Sequence, residues 1–295
     1  MSEPRHLTAN GIDFAYLEAG PPDGPLALCL HGFPDHAPTW DHLLPVLADA
    51  GYHAVAPWMR GYAPTGLAPD GNYELASLAL DALAIADALA GDGDAVLIGH
   101  DWGAITAYTA VGHRPERFSK LVTMSVPHPS ALAATFFTPE QLMRSFYIFV
   151  FQTPFAEMAV AKDDFAFIDF LWRHWSPGHM PEPDYMRALK ETLGAPGCTE
   201  AAIKYYRYML GTLPSDPALA EVSSAGNGAI PVPALYFHGT DCGCLGVEFV
   251  HEDELRPYFP AGLEVELVPA SGHFVHRDQP EAVNRRVLEF LGVPN

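Results

Sequence analysis

The sequence has no apolar run long enough to cross a bilayer, although 49% of its 295 residues are hydrophobic, so the apolar content must go into a globular core. It is short of basic residues, with 16 Lys and Arg against 36 Asp and Glu and a formal net charge of −20. That balance argues against a nucleic-acid or anionic-membrane surface, since both need clustered cations. No basic segment followed by an apolar run and a small-residue cleavage site opens the chain, so the expected location is the cytoplasm. Cysteine is scarce: Cys29 lies in an apolar run, Cys198 in a Gly/Pro loop, and Cys242 and Cys244 flank one glycine. That spacing is neither a disulfide framework nor a zinc site, and His273-x-x-His276 lacks the glutamate and helix of a zinc motif. No Gly-x-Ser-x-Gly occurs, which removes the usual serine nucleophile of a strand-to-helix turn.

What is present is an alternation of short apolar runs with amphipathic stretches. Strands are expected at 11–19, 26–30, 53–56, 95–98 and 120–124, with helices at 39–50, 75–90 and 104–113. Such spacing implies an α/β fold with parallel strands, because parallel neighbours need long crossover connections. From Ser130 to about Val222 the strand pattern stops and aromatics accumulate, which reads as a helical insertion. Alternation resumes with strands at 234–238 and 263–268 and a closing helix at 279–291. The expected organisation is therefore a core at 1–129 and 223–295 split by a helical cap at 130–222, with 223–228 as a short linker. A lobe inserted at the carboxyl edge of an open α/β sheet lies over the crevice where ligands bind.

The chemistry centres on Gly99-His100-Asp101-Trp102-Gly103-Ala104, between an expected strand and an expected helix. This has the shape of a nucleophile elbow with aspartate at its apex. A carboxylate there can attack carbon and form an ester to the protein, although the same Asp would also suit a helix N-cap. An ester needs a base to activate water. His273 follows the last expected strand, and Asp241 follows the strand before it and could orient the imidazole. The order nucleophile, acid, histidine is that of the α/β-hydrolase fold, with each residue past the carboxyl end of a strand.

With these residues in place, the chain resembles α/β-hydrolases of the epoxide hydrolase branch over nearly its whole length. His31-Gly32-Phe33-Pro34 resembles that family's HGxP motif, which implies that the backbone N–H groups of Phe33 and Trp102 form an oxyanion hole. Tyr147 in Tyr147-Ile148-Phe149-Val150-Phe151-Gln152 and Tyr206 in Lys204-Tyr205-Tyr206-Arg207 resemble the two cap tyrosines, with Tyr205 an alternative to Tyr206 in the second segment. The resemblance implies that two phenols hold the epoxide oxygen while Asp101 opens the ring. His273, oriented by Asp241, then directs water onto the ester, and activity falls as His273 is protonated near an ordinary imidazole pKa. The Arg60-Gly61-Tyr62 loop resembles a segment that supports the core structurally.

The expected partners are a small apolar epoxide and water, with no cofactor, no metal, no nucleic acid and no membrane; a homodimer is left open. Haloalkane dehalogenase is the nearest alternative, since it shares the aspartate ester. It needs N–H donors for the departing halide, a role that Trp102 together with Trp172 or Trp175 would have to fill. A non-catalytic binding protein on the same fold is the alternative from a different class.

Overall fold

The apolar runs become the inner strands of a single eight-stranded sheet in the computed structural model, which describes residues 3–91 and 93–293. The strands are β1 (Arg5–Ala9), β2 (Ile12–Ala19), β3 (Leu26–Leu30), β4 (His53–Pro57), β5 (Ala95–His100), β6 (Phe118–Met124), β7 (Ala234–Gly239) and β8 (Leu263–Val268). Their order in the sheet is β1-β2-β4-β3-β5-β6-β7-β8. The β1–β2 and β2–β4 pairs are antiparallel and all other pairs are parallel. Every residue of β3, β4, β5 and β7 is buried, as expected for parallel strands covered on both faces.

Helices Leu75–Ala90 and Trp102–His113 cross over between parallel strands, and Pro280–Leu291 closes the chain. Two local expectations are corrected. The helix expected at 39–50 splits into a 3-10 turn at Ala37–Trp40 and a short helix at Leu44–Asp49, because Pro45 is tolerated only in a first helical turn. Strand β1, which the sequence reading omits, pairs with β2 through an Asn10-Gly11 turn with both residues at positive φ, the geometry that Asn-Gly favours in a tight hairpin.

Between β6 and β7 the regular elements of the described chain are all helices, joined by turns. They include Pro139–Arg144, Phe146–Val150, Ala156–Trp175 (broken at Lys162–Phe165), Pro183–Gly194, Cys198–Met209 and Ala220–Ala225. The stretch 223–228 is packed rather than linker-like: a Cβ on Gly112 would lie 2.3 Å from the Ala225 carbonyl oxygen, and one on Gly226 would lie 2.4 Å from Thr109 Oγ1. Only glycines allow these backbones to meet. Trp172 ties the helical region to the sheet side. Its ring stacks on Phe274 and its indole N–H donates to the Pro34 carbonyl at 2.9 Å, so a large apolar surface is buried with its polar edge satisfied.

Candidate active site

Strand β5 runs into helix Trp102–His113 through a single residue, Asp101, at φ 53° and ψ −119°. A non-glycine residue in this region is strained, and such strain persists only where the surroundings enforce it. They do so through small neighbours. A Cβ on Gly99 would lie 2.3 Å from the Gly103 carbonyl oxygen, and one on Gly103 would lie 2.0 Å from that of Leu30. The glycines therefore let strand, turn and helix pack at backbone contact, which lifts the Asp101 side chain off the end of the sheet.

The Asp101 carboxylate does not cap its helix, so the N-cap alternative fails. Oδ1 instead accepts the Phe33 N–H at 2.7 Å, and Oδ2 lies 3.4 Å from His273 Nε2. Gly32 makes this approach possible, since a Cβ there would lie 2.3 Å from Asp101 Oδ1. Trp102 is the first residue of the helix, where a backbone N–H has no intrahelical acceptor. Burial alone would raise the Asp101 carboxyl, but the His273 and His100 imidazoles and the Phe33 N–H outweigh it and hold it below its ordinary value.

The HGFP segment divides its work. The Phe33–Pro34 peptide is cis. His31 donates from Nδ1 to the Gly32 carbonyl at 2.9 Å and accepts the Met59 N–H at Nε2 at 3.0 Å, so it braces the loop. Burial keeps that ring neutral by lowering its pKa to about 4. Arg60, as expected, is structural: its guanidinium forms a two-point ion pair with buried Asp81 at 2.5 and 2.6 Å.

His273 is fully buried and its backbone is fixed at both ends. Its N–H donates to the Trp175 carbonyl at 2.9 Å, and its own carbonyl oxygen accepts from His100 Nε2 at 2.9 Å and from the Ser125 hydroxyl. Burial opposes protonation of the ring, but the Cys244 sulfur, the Asp101 carboxylate and the Cys242 sulfur prevail and raise it well above the ordinary 6.5. The ordinary value applies to an unperturbed imidazole, and this ring is perturbed upward.

Asp241 does not reach His273. Its side chain is exposed, and its hydrogen-bond partner is the Thr240 hydroxyl at 3.2 Å. Strand β7 ends at Gly239, and the turn closed by the Cys242 N–H on the Gly239 carbonyl sends residue 241 outward and residue 242 inward. Cys242 Sγ consequently lies 3.6 Å from His273 Nδ1. The sequence reading gives this cysteine no role, and the direction of a side chain just past a strand end is not fixed by residue type.

The tyrosines sort cleanly. Tyr206 lines a cavity of about 450 Å³ together with Asp101, Trp102, Tyr147 and Cys244. Its hydroxyl is buried without a partner among the described residues. Tyr205, one residue earlier, faces away and donates to the Arg60 carbonyl at 2.8 Å. The Tyr147 and Tyr206 rings meet edge to face at 5.6 Å, and the Tyr147 hydroxyl lies 3.7 Å from Cys244 Sγ. Burial, with Cys244 adding for Tyr147 and Asp101 for Tyr206, raises both phenols well above 10.0 and keeps their protons on. The rest of the wall is mainly apolar, with Ile105, Val126, Leu132, Phe136 and Leu245 among its residues, and no Lys or Arg.

Asp35, His100 and His276 bring one possible metal-ligand atom each within 4.8 Å of one another, all buried. Burial lowers His100 to about 3 and raises Asp35 to about 6. The cluster shares only His276 with the His273-x-x-His276 spacing set aside above, and it is not part of the cavity wall.

Comparison with known proteins agrees with the fold. Residues 25–158 match the alpha/beta hydrolase fold family. The AB hydrolase superfamily protein YfhM of Bacillus subtilis is 30% identical over 97% of this chain and 96% of its own length. Epoxide hydrolase 4 of Homo sapiens is 30% identical over 96% of this chain and 76% of its own length. Among solved structures, an epoxide hydrolase mutant of Vigna radiata superposes with a TM-score of 0.79 at 26% identity, covering 98% of both chains. The chain belongs to the α/β-hydrolase family, with epoxide hydrolases among its relatives.

Proposed function

We propose that this protein is an epoxide hydrolase that opens a small apolar epoxide to a vicinal diol through an ester on Asp101, without a cofactor. The observation that carries the reading is the pair of buried, protonated phenols, Tyr147 and Tyr206, on the wall of the cavity that also holds the Asp101 carboxylate. Opening an epoxide leaves an alkoxide, a poor leaving group. Two phenols that hydrogen-bond the ring oxygen as charge develops address that barrier, and one of them can give up its proton.

In the first stage Asp101 Oδ2, the oxygen not held by Phe33, attacks an epoxide carbon. The carbon–oxygen bond breaks, a tyrosine protonates the alkoxide, and a hydroxyalkyl ester remains on Asp101. Ester formation removes the negative charge that favours protonated His273, so the imidazolium releases its Nε2 proton to solvent and the neutral ring is available when a base is needed. His273 Nε2 then takes a proton from water as the water oxygen bonds to Asp101 Cγ. The Phe33 and Trp102 N–H groups are the proposed donors to the resulting oxyanion. Collapse breaks the ester, His273 protonates the departing diol oxygen, and the proton left on the regenerated carboxyl returns to the tyrosinate. The helical insertion supplies both tyrosines and acts as the cap.

The dehalogenase alternative is weaker. Trp172 spends its indole N–H on Pro34, and neither Trp172 nor Trp175 lines the cavity. Assaying diol from styrene oxide beside bromide from a bromoalkane separates the two. Diol with negligible bromide is expected, whereas bromide release exceeding diol formation contradicts the proposal.

A further inference from the structure

Resting on the epoxide hydrolase reading, we propose that Cys242 is the positioning residue for His273, its sulfur taking at Nδ1 the place that a carboxylate holds in a Ser-His-Asp arrangement.

Geometry leaves this role to Cys242. The hydrogen-bonding contact of His273 Nδ1 is Cys242 Sγ at 3.6 Å, and both side chains are buried. The carboxylate one residue earlier, Asp241, is exposed and occupied by Thr240. Asp278, the other nearby acid, accepts the Gly272 N–H at 2.7 Å and the Ser176 hydroxyl at 2.8 Å. The loop is held from the helical insertion, because the Trp175 carbonyl accepts both the Gly243 N–H at 3.1 Å and the His273 N–H at 2.9 Å. One backbone group thus fixes the spacing of sulfur and imidazole.

The direction of the hydrogen bond decides whether the arrangement can work. A thiol donating to Nδ1 would place the ring proton on Nε2 and leave no lone pair facing Asp101. A sulfur that accepts keeps the proton on Nδ1 and leaves Nε2 bare toward the ester. Cys242 Sγ is an acceptor in a second contact as well, taking the Leu245 N–H at 3.4 Å. Burial disfavours a thiolate there, yet the His238 and His273 imidazoles outweigh it and lower the Cys242 thiol below its ordinary value. During ester hydrolysis the Nδ1 proton stays on the ring while Nε2 takes the proton of water. The sulfur stabilises the imidazolium and is neither alkylated nor oxidised.

The test separates the two half-reactions in Cys242→Ala, Cys242→Asp and Asp241→Asn, by quenched-flow mass measurement of the protein after mixing with styrene oxide. In Cys242→Ala, ester formation is expected to stay within a few-fold of wild type while ester hydrolysis slows by roughly 10²-fold or more, so the mass adduct accumulates. Cys242→Asp restores hydrolysis, which a merely structural role for the cysteine would not do, and Asp241→Asn leaves both steps unchanged. Hydrolysis at the wild-type rate in Cys242→Ala overturns the inference, and so does slowing in Asp241→Asn. Diol production with no ester on any variant overturns the aspartate-ester reading itself, an outcome distinct from either.

Discussion

At the residue scale, neighbours with the same side chain carry different work. Tyr206 faces the cavity with its hydroxyl unpartnered, whereas Tyr205 hydrogen-bonds Arg60. Tyr206→Phe should lower the rate of ester formation by roughly 10- to 100-fold with little change in melting temperature, since it removes a donor to the developing alkoxide. Tyr205→Phe should do the reverse, costing about 1–2 kcal/mol of stability because the Arg60 carbonyl loses its partner. Single-turnover kinetics and thermal melts on the two variants check this, and matching effects would contradict the assignment. The sequence puts both tyrosines in one short stretch but cannot say which faces inward, because the helix phase is set by packing against Phe33 and Trp102. The same limit hides Cys242. Asp241 is the residue whose chemistry suggests a relay, while the turn after β7 turns its neighbour inward.

At the element scale, function is concentrated where strands end. β3, β5 and β7 deliver Phe33, Asp101 and Cys242 from their carboxyl ends, and the segment after β8 delivers His273, as open parallel sheets do. The buried strands were legible as apolar runs, with β3 matching its expected bounds, as does the half-exposed edge strand β8. Less legible were the break in the helix at 39–50, caused by one proline, and the exposed edge strand β1, whose residues are only partly apolar. Backbone contact between these strand ends depends on glycine. In Gly32→Ala the new methyl would lie 2.3 Å from Asp101 Oδ1. The variant should lose at least about 10²-fold in turnover, because the carboxylate must leave the Phe33 N–H, at a stability cost of about 1–3 kcal/mol. Near-normal diol formation in a folded Gly32→Ala protein would count against the oxyanion contact.

At the scale of the whole molecule, the sheet supplies the proposed nucleophile and base while the helices between β6 and β7 supply both cavity phenols and, through Trp175, the clamp on His273 and Gly243. Composition foreshadowed this division, since the aromatic-rich stretch without strand pattern is the helical region. It could not foreshadow the shape or size of the cavity, which depends on how those helices pack. The net charge of −20 argues against anionic substrates, and a mainly apolar cavity wall with no Lys or Arg among the described residues supports the proposed neutral, apolar substrate. In the proposed reaction Asp101 becomes an ester and is then restored by water at its own carbonyl carbon. A single turnover of styrene oxide in heavy-oxygen water, with enzyme in excess, followed by mass analysis of the peptide containing Asp101, is the decisive measurement: label is expected in the Asp101 carboxyl and none in the first diol released, and label in that diol with an unlabelled Asp101 would contradict the ester mechanism.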